Sequence, residues 1–196
     1  MIAEEQWLST LRPSRVRMVQ AGAPAWAEAE LIDVESGQAA LGPALEAFGL
    51  RVRRTAVGQA RHLVAALSEP PAADFVVLQC HGDEGAIVLP GLAEEVERYQ
   101  PFHGRISPAD LRAFARFDGT VVVATGCDTG HPGLAGAVLD CGATAYIAPD
   151  GAPFAYASFV APLLLFYELT KLRDLGEAVR HLRAHDDELA MWRLYR

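Results

Sequence analysis

The sequence predicts an α/β fold, a three-layer sandwich built on a mainly parallel central sheet. Three observations carry that expectation. The runs at 74–79, 120–125 and 143–148 are apolar with little alternation, as strands covered on both faces are. Stretches with helical spacing of apolar residues separate them, which is the rhythm of βαβ units with right-handed crossovers. The first two runs lead into polar, glycine-bearing turns that contain histidine or cysteine. The carboxyl edge of such a sheet is where ligands bind.

Bulk properties narrow the possibilities. A chain of 196 residues, 51% hydrophobic and 21% charged, suits one globular domain spanning 1–196. The longest apolar run, Phe159–Tyr167, contains Pro162 and falls well short of the ~18 residues of a membrane span, so no membrane partner is expected. The acidic start Met1–Gln6 has no apolar core of a secretory signal, and three cysteines is an odd count. Both suit reduced thiols and a cytoplasmic setting. A net charge of −8 argues against nucleic acid as the partner, since phosphate binding requires a basic face. The local arginine cluster Arg51, Arg53 and Arg54 alternates with Leu50 and Val52 as a solvated edge strand would.

Trp7, Leu8 and Leu11 suit a short helical lead-in, and Arg15–Gln20 alternates as a first strand. Small residues through Gly22, Pro24 and Trp26 suggest a loop. Leu41, Leu45 and Phe48 mark a helix face that Gly49 closes. Leu50–Thr55 is the next strand, and 58–67 a helix ended by Pro70-Pro71. After the strand that reaches His81-Gly82, Asp83-Glu84-Gly85 turns into Ala86–Pro90 as a small hairpin. Residues 91–106 are acidic and irregular. Ser107-Pro108-Ala109-Asp110 has the order of a helix start: N-cap, proline at N1, acid at N3. Leu111, Phe114 and Phe117 form that helix's core face. A short helix at 134–139 closes near Gly142, the strand 143–148 follows, and two helices near 153–171 and 175–189 finish the chain. The aromatics Phe154, Tyr156, Phe159, Phe166 and Tyr167 are expected as helix core and pocket wall.

Two strand ends carry chemistry. Cys127, between Gly126 and the turn Asp128-Thr129-Gly130, is placed to present a thiol, which is nucleophilic only as the thiolate and needs a base beside it. His81 is the natural base if the two strands are neighbours. Gly82 has no Cβ to block a substrate carbonyl, so its amide and that of Cys127 suit an oxyanion hole. Cys80 and Cys141 are expected as structural residues, with the Cys80 side chain on the face opposite His81. His131 is a weaker alternative base. A zinc site is not expected, because no C-x₂-C or H-x₃-H pair is present. Phosphate-binding glycine loops are absent as well, and no cofactor is expected.

The pair His81-Gly82 and Gly126-Cys127-Asp128-Thr129-Gly130, with 127 − 81 = 46 positions between histidine and cysteine, resembles the caspase-like cysteine peptidases. The Cys-acid-Thr-Gly order is most similar to their bacterial CHAT-type domains. Leu134–Leu139 with Gly142–Ala148 resembles the helix and strand that follow the cysteine in these domains, and Glu177–Arg180 resembles their closing helix. The likeness covers residues 74–185.

The resemblance implies a caspase-like sheet and a cysteine endopeptidase without metal or organic cofactor, acting on a polypeptide. Cys127 would be the nucleophile, His81 the general base, and the Gly82 and Cys127 amides the oxyanion donors. Thr125, two before the cysteine, would line the pocket for the residue preceding the cleaved bond. Asp128 and Asp150 are candidates for negative charge there, which favours a basic over an acidic side chain at that position. The alternative is a catalytically inactive domain of the same fold that binds a partner protein. Oligomeric state is left open.

Overall fold

Six strands form one sheet in the spatial order β2 (Leu50–Ala56), β1 (Ala27–Asp33), β3 (Phe75–Gln79), β7 (Val121–Ala124), β8 (Ala145–Pro149) and β9 (Trp192–Tyr195). All neighbours are parallel except β9, which runs antiparallel to β8. The structure, a computed structural model, describes residues 25–34 and 37–196. The expected lead-in around Trp7 and strand at Arg15–Gln20 lie outside the described residues. No described helix is long and apolar enough to cross a membrane.

The period-two alternation of the strands builds three layers. Val76, Leu78, Val122, Ala124, Tyr146 and Ala148 face one way, onto α2 (Ala60–Leu67), α4 (Pro108–Phe114) and α5 (Pro132–Asp140). Leu31, Val77, Val123 and Ile147 face the other way, onto α1 (Leu41–Ala47), α6 (Ala155–Thr170) and α7 (Leu175–Arg183). Both faces of the central strands are therefore dry, and their side chains are 0–2% exposed. Burying each such Val, Leu or Ile contributes about 1.5–3 kcal/mol.

Local signals set the remaining elements. β4 (His81–Asp83) and β5 (Ala86–Val88) form the expected hairpin, and β6 (Arg105–Ile106) extends it to a small antiparallel sheet. Glu84 and Gly85 both have positive φ, 47° and 73°, as a two-residue hairpin turn of this hand requires. Ser107 caps α4 with a complete capping box: its hydroxyl accepts from Asp110 N, and the Asp110 carboxylate accepts from Ser107 N. A single turn, α3 (Glu94–Glu97), interrupts the acidic stretch before it.

Four expectations need correction. Ala27–Asp33 is a full sheet strand where the sequence suggested no element. Phe117 is buried beyond the end of α4, which stops at Phe114. The last helix stops at Arg183, and a 3-10 turn at Leu189–Met191 leads into β9, a strand the periodicity did not suggest. Tyr156 and Phe154 stand 75% and 66% exposed, outside the core.

β2 lies at the sheet edge, and its arginines lie along β1's acids. Arg51, Arg53 and Arg54 meet Glu28, Glu30 and Asp33 at 2.8, 2.6 and 2.5 Å. The Glu30 carboxylate, hydrogen-bonded to Arg53, raises that guanidinium's pKa further. The basic cluster is thus matched charge for charge by its neighbouring strand.

Candidate active site

Strands β3 and β7 are direct neighbours, registered from Phe75 opposite Val121 to Leu78 opposite Ala124. Their exits must therefore lie side by side. Thr125 N donates to Leu78 O at 3.1 Å, and Cys80 N donates to Thr125 Oγ1 at 3.4 Å, so the pairing continues past the formal strand ends. Thr125 is buried and occupied in this way.

The crossing beyond that point is close enough to demand glycine. A Cβ on Gly126 would lie 2.9 Å from Gly82 N and 2.9 Å from the His81 carbonyl carbon. A Cβ on Gly82 would lie 2.2 Å from Cys127 O and 2.7 Å from Thr129 Cγ2. The His81-Gly82 and Gly126-Cys127 backbones are thus in contact, which is the juxtaposition that the sequence reading required. His81, Gly126, Cys127 and Thr125 line one cavity of about 220 Å³, with Cys80 and Ser158 also in its wall.

The turn after Cys127 is held from below. Asp128 adopts a left-handed conformation (φ 53°), and its N–H donates to Gly151 O at 2.7 Å. Thr129 Oγ1 donates to Gly126 O at 2.6 Å, and Gly130 N donates to Pro149 O at 2.7 Å. The hydroxyls of Tyr146 and Tyr195 donate to the Thr129 and Gly130 carbonyls. With its carbonyls and amides so used, the turn presents Cys127 from a fixed frame. The Cys127 N–H donates to no carbonyl among the described residues and lies against the residue's own sulfur.

Electrostatics at the thiol run against spontaneous ionisation. Burial raises the Cys127 pKa first, and the Asp128 carboxylate adds to the rise, as does Asp83 to a lesser degree; the residue's own N–H opposes them. His81 is exposed, and no hydrogen bond joins its ring to Cys127 Sγ among the described residues. The resting thiol therefore carries its proton at neutral pH. Replacing Asp128 by asparagine removes one source of the rise and suits the left-handed backbone. Iodoacetamide should alkylate Asp128→Asn at pH 7.5 about two- to fivefold faster than the wild type. An unchanged rate would mean that the Asp128 charge is not felt at the sulfur.

Of the three pocket candidates, Thr125 alone lines the cavity beside Cys127. Asp128 is half-buried in the turn, and Asp150 is exposed, meets Arg193 at 3.7 Å and lines a different groove. His131 serves another purpose: its Nδ1 accepts from Gly133 N at 3.2 Å and caps α5, while its ring lies over Gly85. Cys141 is buried at the end of that helix. Cys80 follows the alternation of β3: like Val76 and Leu78 it is buried in the core on the side of α2, α4 and α5, while His81 is exposed. The chain leaves β3 after Gln79 and enters β4 at His81, so Cys80 sits in the bend, and both it and His81 border the cavity. Ser158, on α6, went unnoticed because no local pattern shows which helix face meets a cavity formed over 30 residues earlier. Among the described residues, no group of three or more His, Cys, Asp or Glu is arranged to hold a metal ion.

No protein-family model matches the chain. No curated protein is significantly similar to it in sequence. Among solved structures, it is similar to the yeast Spc42 trimeric coiled-coil segment, amino acids 181–211, fused to another structure, at 12% identity and a TM-score of 0.35. That alignment covers 81% of this chain and 93% of the other, and at so low a score it carries no argument about fold or function.

Proposed function

We propose that the chain is a caspase-like cysteine endopeptidase, in which His81 and Cys127 form the catalytic dyad. The observation that supports this most is the backbone contact of His81-Gly82 with Gly126-Cys127 at the carboxyl ends of adjacent parallel strands, beside one shared cavity. The helix and strand after the cysteine, α5 and β8, fit the same reading. All three cysteines are free, which suits a reducing, cytoplasmic setting.

Because the resting thiol is protonated, the reaction begins with proton transfer rather than with a standing ion pair. His81 takes the Cys127 proton as Sγ attacks the peptide carbonyl carbon. The developing oxyanion accepts hydrogen bonds from the amides of Gly82 and Cys127. The C–N bond then breaks, and the amine leaves with the proton from His81. Water, deprotonated by His81, hydrolyses the thioester and restores the thiol. No metal or organic cofactor takes part. Thr125, with its hydroxyl engaged by Cys80 N, offers the preceding residue of the substrate a neutral wall. Negative charge from Asp128 nearby favours a basic side chain there over an acidic one.

A peptidyl acyloxymethyl ketone tests the dyad. The wild type should be labelled at Cys127, Cys127→Ala should not be labelled at all, and His81→Ala should react about 10²-fold more slowly or worse. Labelling that persists in Cys127→Ala would remove the nucleophile. A second reading, a non-catalytic domain that binds a partner protein, is favoured by the raised thiol pKa and by the missing imidazole–thiol hydrogen bond. It predicts equal, slow labelling of the wild type and His81→Ala.

A further inference from the structure

A groove of about 730 Å³ opens between α7 and β9, and no residue lines both it and the cavity beside Cys127. Val179 and Leu194 contribute apolar surface to it. Arg180 and Arg183 border it from α7, and Arg193 borders it from β9. Asp150 is the one carboxylate among its lining residues. In a chain of net charge −8, three guanidinium groups around one groove reverse the sign locally.

The sequence explains the grouping. Arg180 and Arg183 are three apart and so share a helix face, and the burial of Ala178, Val179 and Leu182 fixes which way α7 turns. β9 brings Arg193 alongside by pairing with β8, where Arg193 is opposite Ala148.

These arginines differ from those of β2 in how they are held. Arg53 and Arg54 meet nearly buried carboxylates at 2.6 and 2.5 Å. Arg180 meets Glu177 only at 3.6 Å, with side chains 66% and 51% exposed, and Arg193 meets Asp150 at 3.7 Å, with side chains 42% and 49% exposed. Arg183 donates from Nε to Ala190 O at 3.1 Å and makes no ion pair among the described residues. Exposed, loose pairs of this kind are weak, so an arriving carboxylate displaces little.

We propose that this groove binds an acidic segment of polypeptide, with side-chain carboxylates on Arg180, Arg183 and Arg193 and an apolar side chain against Val179 and Leu194. The size of the groove, its apolar surface and the spread of its cations over two elements suit an extended amphipathic chain better than a lone phosphate, which guanidinium groups clustered at one point would hold. The assignment stands whether or not Cys127 is a nucleophile.

Fluorescence anisotropy on the full chain carrying Cys127→Ala, so that no probe is cleaved, tests it. The probes are a labelled ten-residue peptide of alternating Glu and Leu, the matching Lys/Leu peptide, and inorganic phosphate as competitor. The Glu/Leu peptide should bind and the Lys/Leu peptide should not. The double variant Arg180→Gln/Arg183→Gln should weaken binding about tenfold or more, as should Arg193→Gln alone to a smaller degree. Arg116→Gln, on an exposed pair elsewhere, should leave it unchanged. Circular dichroism melts of each variant identify any loss that comes from unfolding. Absence of Glu/Leu binding, binding indifferent to the three arginines in variants that remain folded, or tight phosphate binding without peptide binding would each overturn the assignment.

Discussion

Gly82→Ala is expected to destabilise the protein by about 3 kcal/mol and to abolish labelling of Cys127. The new methyl carbon would sit 2.2 Å from Cys127 O and 2.7 Å from Thr129 Cγ2. Neither neighbour yields cheaply. The Cys127 carbonyl belongs to a turn fixed by the Asp128–Gly151 and Gly130–Pro149 backbone bonds, and Thr129 is fully buried with its hydroxyl on Gly126 O. Relief must therefore come from separating the two strand ends, which also parts His81 from Cys127. For a chain of this size, that loss corresponds to a melting point lower by roughly 6–12 °C. Gly91→Ala is the control, since a Cβ there meets nothing within 4 Å. Thermal melts of the two variants, followed by labelling well below both midpoints, separate a lost fold from a lost site. A Gly82→Ala melt indistinguishable from that of Gly91→Ala would mean that the two backbones are not in contact.

The same contact shows what could be learned from the sequence alone. β3, β7 and β8 were legible because burial on both faces requires continuous apolar runs, and no competing signal overlaps Phe75–Gln79 or Val121–Ala124. The start of α4 was legible because a capping box is wholly local. β1 was not, since Ala27-Glu28-Ala29-Glu30 has the composition of a loop or helix. Its acids belong in a strand only because the arginines of β2 lie beside them. β9 was hidden for a similar reason: Trp192–Tyr195 is short and follows helical sequence, and pairing with β8 is what extends it.

The site divides in the same way. The glycine-flanked histidine and cysteine carry their own signals. Asp150 looked like a pocket acid because it follows β8, the strand next to β7, but the neighbouring β9 turns it toward Arg193 and the groove. Cys80 was legible too, since alternation from Val76 and Leu78 carries it into the same core just before the bend where the chain changes sheets.

That bend gives Cys80 a measurable signature. Burial pushes its thiol up to about 12, against the backbone amides of Gly126 and Thr125, which favour the thiolate. In the unfolded chain the thiol titrates near ~8.5. Raised in the folded state, it contributes stability that is fully present below the unfolded value and is lost as pH climbs toward the folded one. The slope is about 1.4 kcal/mol for each pH unit above ~8.5, or about 2 kcal/mol between pH 8.5 and 10. Cys127 and Cys141 are also raised and act in the same direction, and Tyr146, raised by burial, adds its share only above the ordinary tyrosine range. Urea unfolding from pH 7 to 10 should show wild-type stability declining above pH 8.5, and Cys80→Ala should show a decline about 2 kcal/mol smaller. Equal declines would mean that Cys80 ionises in the folded protein. Cys80 borders the same cavity as Cys127, and each sulfur's charge would raise the pKa of the other. A Cys80 held neutral across the working range leaves Cys127 as the one sulfur in that cavity able to become an anion, as the proposed dyad requires.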